Sequence, residues 1–114
     1  MSTADAHRRN GVLATLAAFQ RLYPAITVNE VVAFLCLSEN EGVSLRDLAR
    51  LTGLSEPTTS RSIRTFGPAA GAWGRGPRLG LVEAFRHPDD HRTRVLRLTA
   101  AGAGFRARLA LSVS

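Results

Sequence analysis

Apolar residues recur at helical spacing through most of this chain and alternate along two later stretches, with glycine and proline dividing them. Residues 5–22 carry Val12, Leu13, Leu16, Ala17, Phe19 and Leu22 as a helical stripe, which Pro24 ends at Tyr23. Thr27 with Glu30 three residues later makes a capping box that opens a second helix over roughly 28–38. Val28, Val31, Val32 and Leu35 should face inward there, with Cys36 at the margin, and Gly42 stops the unit.

Ser44 and Asp47 repeat the capping-box spacing and open a short helix over 45–52, whose apolar side is Leu45, Leu48, Ala49 and Leu51. Gly53 reads as the left-handed residue closing that helix, and Leu54 as the apolar plug of the turn. Ser55 caps the next helix, 56–66, with Glu56 and Pro57 in a first turn that favours both. Thr59, Ile63 and Phe66 share its inner face. Seven glycines and prolines then crowd residues 67–80, which predicts a long irregular loop holding Trp73, Arg75 and Arg78. Residues 81–85 and 94–98 alternate as two strands around the polar turn His87-Pro88-Asp89-Asp90-His91-Arg92, giving a hairpin with a long tip. Thr99 caps a last helix over 100–111, weakened by Gly102 and Gly104.

Composition narrows the class. A chain of 114 residues with 45% hydrophobic and 21% charged residues is globular and fits one domain. It should bury roughly two-thirds of its unfolded surface, so neither metal nor disulfide is needed for a core. No apolar run is long enough to span a bilayer, and the first nine residues lack a signal-peptide core, which places the protein in the cytoplasm. Cys36 has no partner for an intrachain disulfide; a buried thiol is the plain reading and an oxidant sensor the sharper one.

Charge is unevenly distributed. Residues 1–60 hold five arginines against six acids, whereas residues 61–114 hold ten against three, within a net charge of +6. Such confinement of arginine suits a phosphate-binding face, although a merely soluble surface would also produce it. An enzyme is not expected. His7, His87, His91 and Cys36 show no metal-ligand spacing, and the glycines at 71, 74 and 76 lead into no Lys-Ser or Lys-Thr pair, so no metal or cofactor is implied.

Two short helices joined by a tight glycine turn form a helix-turn-helix unit, here 45–66. Outside its core face the second helix offers Pro57, Thr58, Ser60, Arg61 and Arg64: small hydroxyls for close approach to a groove, and guanidinium groups for phosphates or base edges. Ser55 can direct its hydroxyl or a backbone N–H at a phosphate. A solvated polar face on an ordinary core helix is the bland alternative. His91, Arg92 and Arg94 on the hairpin are suited to an adjacent minor groove. Asp90 either receives the Arg92 guanidinium or makes an Asx-turn.

The run from Leu45 to Arg61, LRDLARLTGLSEPTTSR, resembles the helix-turn-helix of the MarR family of regulators. Gly80-Leu81-Val82 followed by PDDHRTRVLRLTAAG, residues 88–102, resembles that family's wing, marked by Asp-x-Arg and then Leu-x-Leu-Thr. The resemblance implies a mainly α winged helix-turn-helix fold with a small β-hairpin wing over 81–98, the whole of 1–114 acting as one DNA-binding domain. It implies Pro57, Thr58, Ser60 and Arg61 in the major groove, Arg92 as the wing-tip arginine with Asp90 as its support, and dimerisation through the terminal helices, 5–23 and 100–111. It further implies a small-molecule effector, since many members bind phenolic or similar ligands between the dimer arms and the DNA-binding lobes. Three departures stand out: the Gly/Pro-rich insertion at 67–80, His87 and His91 where the family often has Asp and Arg, and an end at Ser114 that leaves no longer C-terminal dimer arm. The expected partners are therefore double-stranded DNA and a second copy, and the expected activity is transcriptional regulation without chemistry. The alternative is a winged helix used as a protein-interaction or architectural module in a mobile-element or replication assembly.

Overall fold

Capping residues fix where the helices start. The computed structural model describes residues 3–67 and 78–113, in the order α1 (Thr3–Leu22), α2 (Val28–Glu39), β1 (Val43–Ser44), α3 (Leu45–Thr52), α4 (Glu56–Arg64), β2 (Val82–His87), β3 (Asp90–Leu98) and α5 (Ala100–Val113). Thr27 forms the full capping box: its hydroxyl accepts the Glu30 N–H at 3.2 Å, and the Glu30 carboxylate accepts the Thr27 N–H at 2.7 Å. Ser44 and Ser55 accept the N–H groups of Asp47 and Thr58 in the same way. Gly53 closes α3 with φ of 76° and donates to Ala49 O, a left-handed turn that a side chain would resist.

The core is an aromatic cluster. Phe19 of α1, Phe34 of α2, Phe66 just past α4 and Phe105 of α5 are buried, with ring centroids 5.0–6.4 Å apart and most pairs edge-to-face. Such pairs add about 0.5–1.5 kcal/mol each beyond the area they bury. Leu37, Leu48, Ile63, Val82, Leu96 and Leu98 extend the cluster under the sheet.

The sheet has the order β1-β3-β2, both pairs antiparallel. Its root is tied to α4 and α5. Phe66 O accepts both Leu81 N and Val82 N at 2.8 Å, and Thr99 donates its N–H to Leu81 O and its hydroxyl to Gly80 O. The Thr99 hydroxyl also accepts the Gly102 N–H, so one residue caps α5 and pins the start of β2.

On α1, Phe19 of the stripe is buried, while Val12, Leu13 and Leu16 are exposed. Several expectations are corrected. On α2 the inner face is Glu30, Val31, Ala33, Phe34, Leu37 and Ser38, while Val28 and Val32 turn to solvent. Valine at both positions made two helix faces equally apolar, and the aromatic cluster selected the one bearing Phe34. Leu51 is exposed. α4 ends at Arg64 rather than 66, because Phe66 and Gly67 tighten into bonds to Ile63 O and Arg64 O. Strand β1, paired with β3, is an element that the sequence pattern does not mark. The hairpin tip is short: both strands run on until only Pro88 and Asp89 separate them, and the extra residues form a bulge in β3 opposite Arg86 and His87. The predicted loop at 67–80, with Trp73 and Arg75, lies mostly outside the described residues, although its ends meet where Gly80 N bonds Gly67 O.

Candidate nucleic-acid interface

Helix α4 is held from its inner side, and this frees its outer side. Thr59 and Ile63 are buried, and the hydroxyls of Thr59 and Ser62 donate to Ser55 O and Thr58 O; no buried side-chain polar atom among the described residues lacks a partner. Pro57, Arg61 and Arg64 are exposed, and Thr58 and Ser60 are half-buried. The Ser55 hydroxyl serves the helix: it accepts the Thr58 N–H and donates to Thr58 Oγ1 at 2.9 Å. Thr58 Oγ1 also accepts from Arg61 Nη2 at 3.4 Å, so Ser55, Thr58 and Arg61 form a row along the exposed face.

On the wing, Asp90 shapes the backbone. Its Oδ1 accepts the Arg92 N–H at 3.0 Å and its Oδ2 accepts the Thr93 hydroxyl at 2.8 Å, an Asx-turn across the bulge. Of the two readings open for Asp90, the structure has this one; no Asp90–Arg92 ion pair occurs among the described residues. The Arg92 N–H bond chiefly, then the Thr93 hydroxyl, holds the Asp90 carboxyl below the usual aspartate range, with His87 adding a smaller effect. His87 Nδ1 accepts the Asp89 N–H at 3.0 Å and so belongs to the turn. Arg92 and Arg94 are exposed; the side chain of His91 lies outside the described residues.

The arginines of the second half now separate by role. Arg97 pairs with Glu83 at 2.7 Å and stacks 4.3 Å over Phe85. Arg106 donates to Ser38 O at 2.8 Å and lies 3.5 Å from Glu41, whose other oxygen accepts Leu98 N. These two hold the fold together. Arg61, Arg64, Arg86, Arg92 and Arg94 have no acidic partner among the described residues. Between α4 and the wing lies a cleft of about 300 Å³, floored by Leu45, Ile63, Ala84 and Leu96 and edged by Ser60, Arg64 and Arg94. Sequence reading missed this cleft and Arg86 beside it. The period-two pattern does place Arg86 on the face of Ala84, but its partner across the hairpin depends on a bulge that no sequence pattern marks. Cys36 is half-buried, with its thiol pKa pushed up by burial. Among the described residues no group of His, Cys, Asp and Glu could hold a metal, and no helix is long and apolar enough to cross a membrane.

Residues 35–66 match the family model described as winged helix-turn-helix DNA-binding. No curated protein matches the chain. Among solved structures it resembles the PcaV transcriptional regulator of Streptomyces coelicolor in complex with its natural ligand, at 22% identity and TM-score 0.59, covering 90% of this chain and 69% of that one. It also resembles Streptococcus pneumoniae FabT in complex with DNA, at 18% identity and TM-score 0.57, over 76% of this chain and 55% of that one. A MarR transcriptional regulator from Methanosarcina mazei Go1 superposes with TM-score 0.65 at 17% identity, over 95% of this chain and 69% of that one. The fold is a winged helix-turn-helix like that of these regulators, mainly α with a three-stranded antiparallel sheet.

Proposed function

We propose that this chain is a sequence-specific double-stranded DNA-binding transcriptional regulator of MarR type, acting as a homodimer and without catalysis. Helix α4 enters the major groove, where Pro57, Thr58 and Ser60 allow close approach and Arg61 reads base edges. The wing reaches the adjacent minor groove with Arg92, on the turn that Asp90 shapes, and its neighbours in sequence, His91 and Arg94, add to the contact with DNA. Ser55 contributes as the cap that orients the N-terminus of α4. The observation that carries the reading is the pairing of two exposed arginine-bearing elements, α4 and the wing, across one cleft on a fold whose relatives include FabT in complex with DNA. The whole of 1–114 works as one winged-helix domain, with α1 and α5 making the dimer contact. A small-molecule effector belongs to the same reading, supported by the complex of PcaV with its natural ligand.

Selection from a randomised duplex library at moderate salt tests this, with the wild type beside Arg61→Ala and Arg92→Ala. A two-fold symmetric motif, weakened by both substitutions, is the expected result. Equal weak retention by all three proteins with no enriched motif would sink the regulator and favour the protein-interaction module.

A further inference from the structure

We infer that the cleft between α4 and the wing seats the phosphodiester strand that divides the major from the minor groove, and that Arg64, Arg86 and Arg94 clamp its phosphates. This rests on the DNA-binding reading above and assigns residues within it. A helix in one groove and a hairpin in the next must straddle one backbone strand, and the space between them is this cleft. Its floor of Leu45, Ile63, Ala84 and Leu96 is apolar, which suits the carbon faces of deoxyribose, and its edge carries Ser60, Arg64 and Arg94.

Arg86 joins them by register. Ala84 lies opposite Leu96 and Arg86 opposite Arg94, so all four side chains share the face turned to α4. Two arginines directly opposite on an antiparallel pair repel each other, and a third stands across the cleft on α4. None of the three has an acidic partner among the described residues. On the other face of the same hairpin, Arg97 is neutralised by Glu83. Fixed positive charge left uncompensated on the face turned to α4 is suited to a polyanion that arrives later.

The test is the salt dependence of duplex binding by the full chain, for the wild type, Arg64→Gln, Arg86→Gln, Arg94→Gln and Arg97→Gln. Each cleft substitution should flatten the plot of log affinity against log salt by about 0.9 and weaken matched and mismatched duplexes by the same factor. Arg97→Gln should leave the slope unchanged. The thermal midpoint of the free protein should hold or rise in Arg86→Gln and Arg94→Gln, because repulsion is relieved. Wild-type binding with unchanged slopes in the cleft variants would overturn the clamp and leave the DNA reading standing. A lowered midpoint with an unchanged slope would make these arginines structural and also overturn it. No duplex binding by the wild type at any salt would overturn both.

Discussion

A carboxylate at the tip of a basic hairpin works against phosphate binding unless its charge is engaged, and Asp90 is engaged by the Arg92 N–H and the Thr93 hydroxyl. These bonds favour the ionised form, so the carboxyl titrates below its ordinary value. Their contribution to the order of the tip is complete above the unfolded aspartate value, about 3.9, and is lost as pH falls through the depressed folded value. The Arg92 amide should therefore keep its chemical shift and exchange protection from neutral pH down to about 5 and lose both only under stronger acid. A change already present between pH 7 and 6 would mean that a group other than Asp90 governs the tip. Asp90→Ala should cost DNA affinity with little change in global stability, since the residue is exposed. Cys36 calls for the opposite chemistry. Burial favours its neutral thiol, so at pH 8 it should react with a thiol reagent more slowly than a free cysteine, and equal rates would remove the burial argument.

At the scale of elements, the two glycines of α5 look alike in sequence and differ in place. A Cβ on Gly102 would overlap the backbone carbonyl of Leu81 and come within 3.2 Å of Leu98 Cβ, whereas one on Gly104 would meet nothing within 4 Å. Gly104→Ala should stabilise by about 0.5–1 kcal/mol through helix propensity alone. Gly102→Ala should destabilise by roughly 1–3 kcal/mol, because α5 must lift from the root of the wing. Urea unfolding of both variants checks the pair, and equal midpoints would refute the close approach. The same contrast explains what the sequence made legible. Helix starts could be read because a cap is a local bond between residues three apart, as at Thr27, Ser44 and Ser55. The wing and the exposed row on α4 could be read from alternation and from the core positions Thr59 and Ile63. Strand β1 could not, since its two residues are defined only by Val95 and Leu96 some fifty positions later. The cleft and Arg86 stayed hidden for the same reason: they exist only once β2 and β3 are in register.

Over the whole molecule, two unlike surfaces remain uncovered. One is the arginine-bearing side made by α4 and the wing. The other is α1, where Val12, Leu13 and Leu16 are 60%, 67% and 43% exposed and, among its described residues, Phe19 is the one large side chain given entirely to the core. If burial of each exposed part contributes on the order of 1 kcal/mol, three residues from each of two copies contribute roughly 6 kcal/mol before the cost of association. Set against an association cost of about 4–15 kcal/mol, that leaves little or no net affinity, so α1 cannot act alone. Helix α5, which packs on α1 and exposes the small residues Ala103, Ala107 and Ala110, would have to add contact area. The expected mass in solution is accordingly twice 12.3 kDa, and Leu13→Asp should shift it toward the monomer. Light scattering across a dilution series reads this directly. The monomeric variant should keep its thermal midpoint and its weak binding to a single half-site while losing its preference for a two-fold site, because only the linkage of two α4 helices is removed. If Leu13→Asp remains a dimer, the pairing surface lies elsewhere and the exposed stripe on α1 needs another partner.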